Sequence, residues 1–334
     1  MAEKLTEEKV RKWLEQEDTE FRLEEFRRKY QIDPECSNLY VAINRLVVNK
    51  KLKRVGRGLY KKVRQVKRIT TIKVANMKPF DLRFPVGADD MSMFGWEDKI
   101  EIDEGDVMLI AGAGNSAKTA FVINMLAENM DRHPCLLMGN EYARIDEELS
   151  PKFARRMERM NIWANWYKED GKTLKFDILP VDEDYEMYVE ADKINFIDWI
   201  NMTGGIGQEF YLVGSIIKKI KFNIGTGVAV VVLQKNDEKL LGRGGAPTKD
   251  LADFYIAIDN VPNSYDKKLT IVKCKAAKEY MDGRMWAFQI IEGGTQFHNI
   301  REVVTCPQCK GRSAIVGGRC DKCLSKGFID FVDK

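Results

Sequence analysis

Residues 106–119 read Asp-Val-Met-Leu-Ile-Ala-Gly-Ala-Gly-Asn-Ser-Ala-Lys-Thr, and the rest of the predicted fold is arranged around them. The apolar residues 107–111 predict a buried strand, and the small residues 112–117 predict a turn. Lys118 and Thr119 then open an amphipathic helix that runs to Met130. Backbone N–H groups in a small-residue turn at the positive end of a helix form a concave anion site. The stretch therefore predicts a loop that binds phosphate.

This loop fits the P-loop pattern Gly-x4-Gly-Lys-Thr at every position but one. Lys118 would reach the β- and γ-phosphates of ATP, and the Thr119 hydroxyl would hold Mg²⁺. Ala117 replaces the glycine before the lysine, and its methyl group is costly only where the backbone φ is positive. The alternative is a glycine-rich turn before a core helix. The predicted nucleotide-binding residues are Gly112, Ala113, Gly114, Asn115, Ser116, Ala117, Lys118 and Thr119.

Three further apolar runs downstream of the loop each end in a polar residue. Residues 135–139 lead to Glu141, residues 194–197 lead to Asp198, and residues 228–234 end in Gln234. Strands that alternate with helices predict an α/β fold with a mostly parallel sheet covered on both faces. Ligands of such sheets bind outside the carboxyl ends of the strands, so we expect these side chains to surround the phosphate loop. A single polar strand end is unremarkable, whereas three beside a phosphate loop predict an ATPase with Asp198 as the Mg²⁺ carboxylate.

The same motifs resemble the motor domain of DnaB-type replicative helicases and their RecA-like relatives, most of all the DnaB-like ATPases of phages and other mobile elements. The resemblance implies a RecA-like ATPase domain over residues 84–302. It also implies that Glu141 is the general base that orients the attacking water, and that Gln234 is a sensor between the γ-phosphate and a DNA-binding loop. The motifs that carry it lie at residues 112–119, 138–141, 195–198, 232–234 and 271–275.

The resemblance also implies a homo-oligomer, a hexameric ring or a filament, because the family uses a Lys-x-Arg pair that reaches the neighbouring subunit's nucleotide. Lys273 and Lys275 match that position without the arginine, which is not equivalent to lysine as a phosphate partner. Lys278 is the reserve candidate, and an exposed basic edge strand is the alternative.

Two glycine-containing loops, residues 201–208 and 235–250, are expected to face the central channel and bind single-stranded DNA. A surface crossing is the alternative for the second loop. Its candidate DNA contacts are Lys239, Arg243 and Lys249.

Residues 1–65 predict three helices and a hairpin, an order that resembles a winged helix-turn-helix domain. The helices are expected to start after Thr6, at Phe21 and at Asp33-Pro34. Residues 36–80 contain no Asp or Glu and many basic residues, which is typical of an anionic partner or a solvated face. The candidate DNA contacts of this domain are Arg45 on the third helix and Lys53, Arg54 and Arg57 on the wing. Duplex DNA is the candidate partner here. The alternative is a winged helix used for protein contacts, and residues 66–83 are predicted to be a linker.

Residues 303–334 predict a zinc ribbon. Cys306, Cys309, Cys320 and Cys323 form two C-x-x-C pairs, the four-thiolate set that Zn²⁺ prefers, and leave no open coordination position. The metal would therefore be structural. Four reduced thiols without a metal are the alternative.

The composition narrows the class of protein. The 334 residues allow about two or three domains, and 44% hydrophobic with 31% charged residues is ordinary for a globular protein. The formal net charge of +3 excludes nothing about partners. No stretch has the length of a membrane span, the N-terminus has no signal-peptide core, and the cysteine pattern suits a reducing compartment. We therefore expect a cytoplasmic protein without a membrane partner.

These features predict an ATP-dependent DNA helicase or translocase that uses ATP, Mg²⁺ and a structural Zn²⁺ in replication or recombination. Two alternatives remain open. One is a RecA-like recombinase or annealing protein that forms filaments. The other is a DNA-binding regulator or defence component that hydrolyses ATP slowly and uses it as a switch.

Overall fold

The computed structural model describes residues 5–17, 19–63, 78–143, 148–200, 210–237, 239–316 and 318–332. The chain forms two compact units, Met1–Asn76 and Met77–Lys334. The predicted channel loop at residues 201–208 and most of the predicted linker lie outside the described residues. None of the helices in the described ranges has the length and apolar content that crossing a membrane requires.

The first unit contains three helices and a three-stranded antiparallel sheet of order β1-β3-β2. Val10, Phe26, Leu39 and Ile43 from the three helices are buried together in its core. Thr6 caps the first helix as predicted, since its side chain accepts a hydrogen bond from the Lys9 N–H at 3.3 Å. The elements are α1 (Glu7–Glu15), β1 (Glu20–Arg22), α2 (Leu23–Lys29), α3 (Ser37–Val48), β2 (Leu52–Gly56) and β3 (Leu59–Lys62).

Two predicted helix starts in this unit are wrong. Phe21 lies in β1, where it pairs with Tyr60, and α2 begins only at Leu23. Asp33 accepts a hydrogen bond from the Glu35 N–H at 2.8 Å, so Asp33-Pro34 forms a turn ahead of α3 rather than its first residues. The order of helices and strands is compatible with a winged helix, which stays a prediction.

The second unit is built on a ten-stranded mixed sheet of order β15-β12-β11-β10-β9-β4-β8-β7-β5-β6. The run from β9 to β6 in this order is parallel, and the run from β9 to β15 is antiparallel. The parallel strands are β4 (Val107–Gly112), β5 (Cys135–Met138), β6 (Asp177–Leu179), β7 (Ile194–Ile197), β8 (Val228–Gln234) and β9 (Phe254–Asn260). The other four strands of this sheet are β10 (Lys267–Cys274), β11 (Met285–Ile291), β12 (Gln296–Thr305) and β15 (Phe328–Asp330). Strands β13 (Ala314–Ile315) and β14 (Gly318–Arg319) form a separate hairpin.

Side chains cover both faces of this sheet, which confirms the α/β prediction. Along β4, Ile110 packs into one core with Phe121, while Leu109 packs into the other with Ile217. This alternation follows from the two-residue period of a strand, and it explains why the central strands are apolar at every position. The helices are α4 (Lys118–Asn129), α5 (Pro151–Met160), α6 (Tyr185–Tyr188), a 3₁₀ turn at Phe210–Leu212, α7 (Val213–Asn223) and α8 (Ala246–Leu251).

One predicted segment of the second unit differs in the structure. The expected loop at residues 235–250 ends in helix α8, which has a proline in its first turn, a position that favours helix initiation.

The four-cysteine segment is joined to the main sheet. Strand β12 runs across the predicted boundary at residue 302, and β15 returns after the second C-x-x-C pair to bond with it. Val303 pairs with Asp330, and Thr305 pairs with Phe328. The segment that contains the four cysteines, residues 303–332, is called the cysteine ribbon below. It is a direct continuation of the sheet edge.

Candidate nucleotide-binding site

The strand order places the predicted motifs together at the carboxyl ends of the parallel strands. Strand β4 lies between β8 and β9, and β8 separates it from β7. Gly112 at the end of β4 pairs with Gln234 at the end of β8, and Met138 pairs with Ile197 just before Asp198. Strand β4 leads through α4 to β5 on one side of it, whereas β8 leads to β9 on its other side. Open α/β sheets bind ligands outside the strand ends at such a switch point.

The phosphate loop is tightly folded and strained at the unusual alanine. A Cβ atom on Gly112 would overlap the Ser116 Oγ and lie 2.8 Å from the Lys118 Cγ, so glycine is required there. Ala117 has φ 74°, in the left-handed region that glycine occupies without cost. The condition that makes this alanine costly is therefore met. A non-glycine residue in this region costs about 1–2 kcal/mol.

Lys118 is buried at the base of the loop and folds back onto it. Its Nζ donates a hydrogen bond to the Ala113 carbonyl at 2.5 Å. Burial lowers the pKa of Lys118, while the charge of Asp198 acts in the opposite direction and that of Lys235 adds to the lowering. A buried ammonium with a backbone carbonyl as its partner is an incompletely neutralised cation, which an anionic phosphate would stabilise.

Asp198 follows β7 and presents one carboxylate oxygen without a partner. The Tyr142 hydroxyl donates to its Oδ2, whereas the buried Oδ1 has no hydrogen-bond partner among the described residues. Burial raises the pKa of Asp198, and the hydroxyls of Tyr142 and Thr119 partly oppose that increase. A buried, unpaired carboxylate oxygen beside a threonine hydroxyl fits a Mg²⁺ site. The sequence did not indicate Tyr142, whose own pKa is raised well above its usual value by burial and by Asp198.

A cleft of about 1030 Å³ opens above the loop and brings together Lys118, Thr119 and Glu141. Glu141 is exposed at its rim, and its carbonyl accepts a hydrogen bond from the Ser150 hydroxyl at 2.6 Å. The same serine caps α5 by accepting from the Phe153 N–H at 3.3 Å, so one residue fixes both the backbone of Glu141 and the start of the helix.

Sequence reasoning missed four cations of this cleft. Three come from the first turns of α5 and one from the start of β10. The basic residues of α5 are spaced like any solvated helix face, so only the tertiary fold shows that they face the phosphate loop. Among the described residues that line the cleft, they give with Lys118 five cations and one carboxylate, Glu141, so this wall attracts anions. The four are Lys152, Arg155, Arg156 and Lys267.

A backbone hydrogen bond connects Gln234 to Arg243 in the loop that follows it, and Arg243 also contacts an aromatic ring. The Gln234 carbonyl accepts a hydrogen bond from the Arg243 N–H at 2.7 Å, and the Arg243 guanidinium lies 4.6 Å from the centroid of the Phe210 ring. The exposed Lys239 offers its carbonyl to the Nζ of buried Lys235 at 2.8 Å. The assigned roles of Gln234, Lys239, Arg243 and Lys249 stay predictions.

Lys273 and Lys275 lie at the opposite end of the strands from the chain's own cleft, because β10 runs antiparallel to β9. Lys275 forms an ion pair with Asp253 at 3.1 Å, and Lys273 donates to the Lys249 and Asp250 carbonyls at 2.9 and 3.0 Å. A contact with nucleotide would therefore require another subunit, as the prediction states, and would compete with these partners. Lys278 is exposed at the same end.

The predicted DNA contacts of the first unit are all exposed. Arg45 lies on the outer face of α3, and Lys53, Arg54 and Arg57 lie on or beside β2. The outer face of α3 also exposes apolar side chains that the sequence analysis did not consider, namely Tyr40, Val41 and Val48. These DNA contacts stay predictions.

The four cysteine thiols form one compact buried cluster. Their sulfurs all lie within 4.8 Å of one another, with 3.8 Å between Cys306 and Cys320 and 3.6 Å between Cys309 and Cys323. A tetrahedral zinc site with bonds of about 2.3 Å has sulfur–sulfur edges of about 3.8 Å. The residues therefore fit a structural Zn²⁺, which would cross-link the two turns of the ribbon.

Comparisons with known proteins add little to this geometry. No family model matches the chain, and no curated protein matches it. A KaiC-like protein from the hyperthermophilic archaeon Pyrococcus horikoshii OT3 is similar in structure, with 16% identity and a TM-score of 0.43 over 69% of this chain and 98% of that chain. A likeness this distant carries no argument about function, so the interpretation of the cleft rests on its own residues.

Proposed function

We propose that this chain is a RecA-like, Mg²⁺-dependent ATPase. The observation that carries the proposal is that Lys118 and Thr119 follow β4, Glu141 follows β5 and Asp198 follows β7, all at the carboxyl ends of parallel strands. The first three line one cationic cleft, and Asp198 contacts the Thr119 hydroxyl. A single one of these residues would have a structural explanation. Together they supply a phosphate cradle, a cation site and a base on one side of the sheet.

Each residue has a distinct task in this proposal. Lys118 would exchange the Ala113 carbonyl for the β- and γ-phosphates, and the loop N–H groups would bind the same oxygens. Thr119 and Asp198 would hold Mg²⁺, which neutralises charge on the phosphates when bound. Glu141 would accept a proton from a water aligned with the γ-phosphate, and Arg156 or a neighbouring cation of α5 would offset the charge that develops there.

ATP hydrolysis by purified variants tests the ATPase proposal. Lys118→Ala should abolish binding and turnover, whereas Glu141→Gln should keep ATP binding and lose turnover by about 100-fold or more. Lys172→Ala is the matched control, because Lys172 is an exposed lysine away from the cleft. Turnover in Lys118→Ala equal to that of the control would overturn the proposal.

We further propose that hydrolysis drives movement on or remodelling of DNA in a helicase or translocase of DnaB-like type, working as a homo-oligomeric ring or filament. Support comes from the exposed basic residues of the first unit and from the contact between Arg243 and Phe210, which links the strand end at Gln234 to the 3₁₀ turn before α7. The test is the ATPase rate with single-stranded DNA, duplex DNA and RNA, followed by strand displacement. Equal rates with and without any nucleic acid contradict a motor. Filaments on single-stranded DNA without strand displacement favour the recombinase or annealing alternative.

A second candidate is a slow, ATP-switched DNA-binding regulator. Two observations favour it: the positive φ of Ala117 strains the phosphate loop, and Lys275 is already neutralised by Asp253. Mass measurement with and without nucleotide separates this candidate from a motor. ATP-dependent assembly combined with a turnover that nucleic acid does not change would favour the switch.

A further inference from the structure

Asp266 is a buried carboxylate that joins the cysteine ribbon to the main sheet. Its side chain is 0% exposed, and its Oδ2 accepts from Lys326 of the ribbon at 2.8 Å and from Arg301 of β12 at 3.0 Å. Its Oδ1 accepts from the Gln289 amide of β11 at 2.9 Å. A charge this deeply buried is stable only with all such partners in place, so the position of Asp266 depends on Lys326.

Lys326 is placed by the fold of the second cysteine turn. Its N–H donates to the Cys323 carbonyl at 3.0 Å, and the next N–H, from Gly327, donates to the Cys323 sulfur at 3.3 Å. The Gly327 carbonyl in turn accepts from the Cys306 N–H at 2.9 Å, which joins the second turn to the first. A metal that holds the thiols together would therefore also hold Lys326.

The residue after Asp266 contacts the phosphate loop. Successive residues at the start of a strand point to opposite sides, so Lys267 turns toward the cleft while Asp266 turns toward the ribbon. The Lys267 Nζ donates to the Asn115 carbonyl at 3.2 Å and to the Asn260 side-chain oxygen at 2.7 Å. Asn260 then donates to the Gly114 carbonyl at 3.1 Å, so the pair supports the outer turn of the loop.

We propose that the cysteine ribbon supports nucleotide binding. Through Lys326 and Asp266 it positions Lys267, which stabilises the phosphate loop and adds a cation to the cleft. This inference rests on the proposed ATPase function. Asp266 and Lys326 are positioning residues, since neither lines the cleft among the described residues, whereas Lys267 does. The ribbon then governs ATP affinity without touching ATP.

The test is the affinity for a non-hydrolysable ATP analogue with Mg²⁺, measured by calorimetry on the full chain without nucleic acid. Lys326→Met should weaken binding about five- to tenfold, and Lys326→Arg, which keeps the charge, should restore it. Lys322→Met is the matched control, an exposed lysine in the same ribbon. Lys267→Met should weaken binding by a similar factor, and the double variant with Lys326→Met should be no weaker than Lys267→Met alone, because both act through one contact.

Removal of zinc by a chelator, which is itself removed before Mg²⁺ is added, should reproduce the loss in wild type and add nothing in Lys326→Met. Circular dichroism and bound zinc, measured on each variant, identify one that has lost its fold, in which case Lys326→Gln replaces Lys326→Met. Affinity in these variants equal to that of Lys322→Met overturns the inference. If Lys118→Ala still loses binding, only the ribbon's role fails, whereas wild-type affinity in Lys118→Ala means that the ATPase proposal has failed.

Discussion

Two buried aspartates at opposite ends of the parallel strands differ in how completely their carboxylates are hydrogen-bonded, and the difference supports the proposal that one of them binds a ligand. Asp253, just before β9, accepts from the Val107 N–H at 3.0 Å, from Lys275 at 3.1 Å and from Lys221. Asp198, just after β7, has the Tyr142 hydroxyl on one oxygen and no described partner on the other. The two residues are about equally buried, at 4% and 5% exposure, so burial alone does not tell them apart.

The pKa values follow the same division. Burial raises the pKa of Asp198, whereas at Asp253 the effect of burial is overcome by hydrogen bonds from Lys221, Val107 and Lys275, and the pKa is lowered. A carboxylate left in the charged form without compensation is poorly stabilised until a cation arrives. We therefore expect matched Asp→Asn substitutions at the two positions to have opposite consequences.

Asp198→Asn should give the largest effect on activity. Loss of the charge that would hold Mg²⁺ should lower ATP turnover about 100-fold or more. The melting temperature should stay equal to or rise above that of wild type, because the variant no longer buries an unpaired carboxylate. Turnover and thermal unfolding of the same preparation check both parts, and a clear drop in melting temperature would argue against a ligand site.

Asp253→Asn should give the reverse pattern. Its ion pairs with Lys221 and Lys275 are lost, so the free energy of unfolding should fall by about 2 kcal/mol. The folded fraction should retain most ATP turnover, because Asp253 lies at the end of the strands that faces away from the cleft. Denaturant unfolding measures the loss, and an equal loss in Asp198→Asn would remove the distinction between the two carboxylates.

Ala117→Gly should have a smaller and favourable effect at the cleft. Glycine relieves the left-handed strain at φ 74°, so turnover should rise about two- to fivefold if the methyl group distorts the phosphate cradle. Ala113→Gly in the same loop is the control, because Ala113 does not have a positive φ. Steady-state kinetics of both variants decide the matter, and an increase in both would mean that loop flexibility, rather than strain, limits the rate.

The smallest predicted effect is a change in melting temperature at Asp106, which lies at the same end of the strands as Asp253. Burial is the main cause that raises its pKa to about 6, and Asp253 contributes in the same direction. A raised pKa means that protonation favours folding, so this contribution is complete below about pH 4 and is lost as the pH rises through about 6. Asp106→Asn should therefore raise the melting temperature by about 2 °C at pH 7.5 and leave it unchanged at pH 4. Melting curves at the two pH values test this, and an equal shift at both excludes titration as the cause.

The sequence predicted the strands and loop of the site well because each rests on local signals. Apolar runs bounded by turn residues located β4, β5, β7 and β8, and the polar residues after β5 and β7 are Glu141 and Asp198. It predicted less where tertiary contacts decide. Phe21 became a strand residue through pairing with Tyr60, and nothing local distinguishes Lys267 from Lys273 on the same strand. Only the antiparallel pairing with β9 shows which end of β10 reaches the cleft.

The partners of a side chain were also beyond the sequence. Tyr142 is adjacent to Glu141 in the chain, yet its bond to Asp198 depends on the pairing of β5 with β7. The bonds from Asp266 to Lys326 and Arg301 span 60 and 35 residues, and depend on the return of β15 to the sheet edge. Contacts of this range carry no local pattern, which is why the link between ribbon and phosphate loop became visible only in the fold.

The most direct test of the central claim is the Mg²⁺-dependent ATP hydrolysis rate of wild type measured beside Asp198→Asn and Asp253→Asn at a temperature where all three are folded. We predict turnover in wild type and Asp253→Asn that requires Mg²⁺, and a loss of about 100-fold or more in Asp198→Asn. Equal rates in the two variants, or hydrolysis that does not need Mg²⁺, would contradict the assignment of this cleft as the ATPase site.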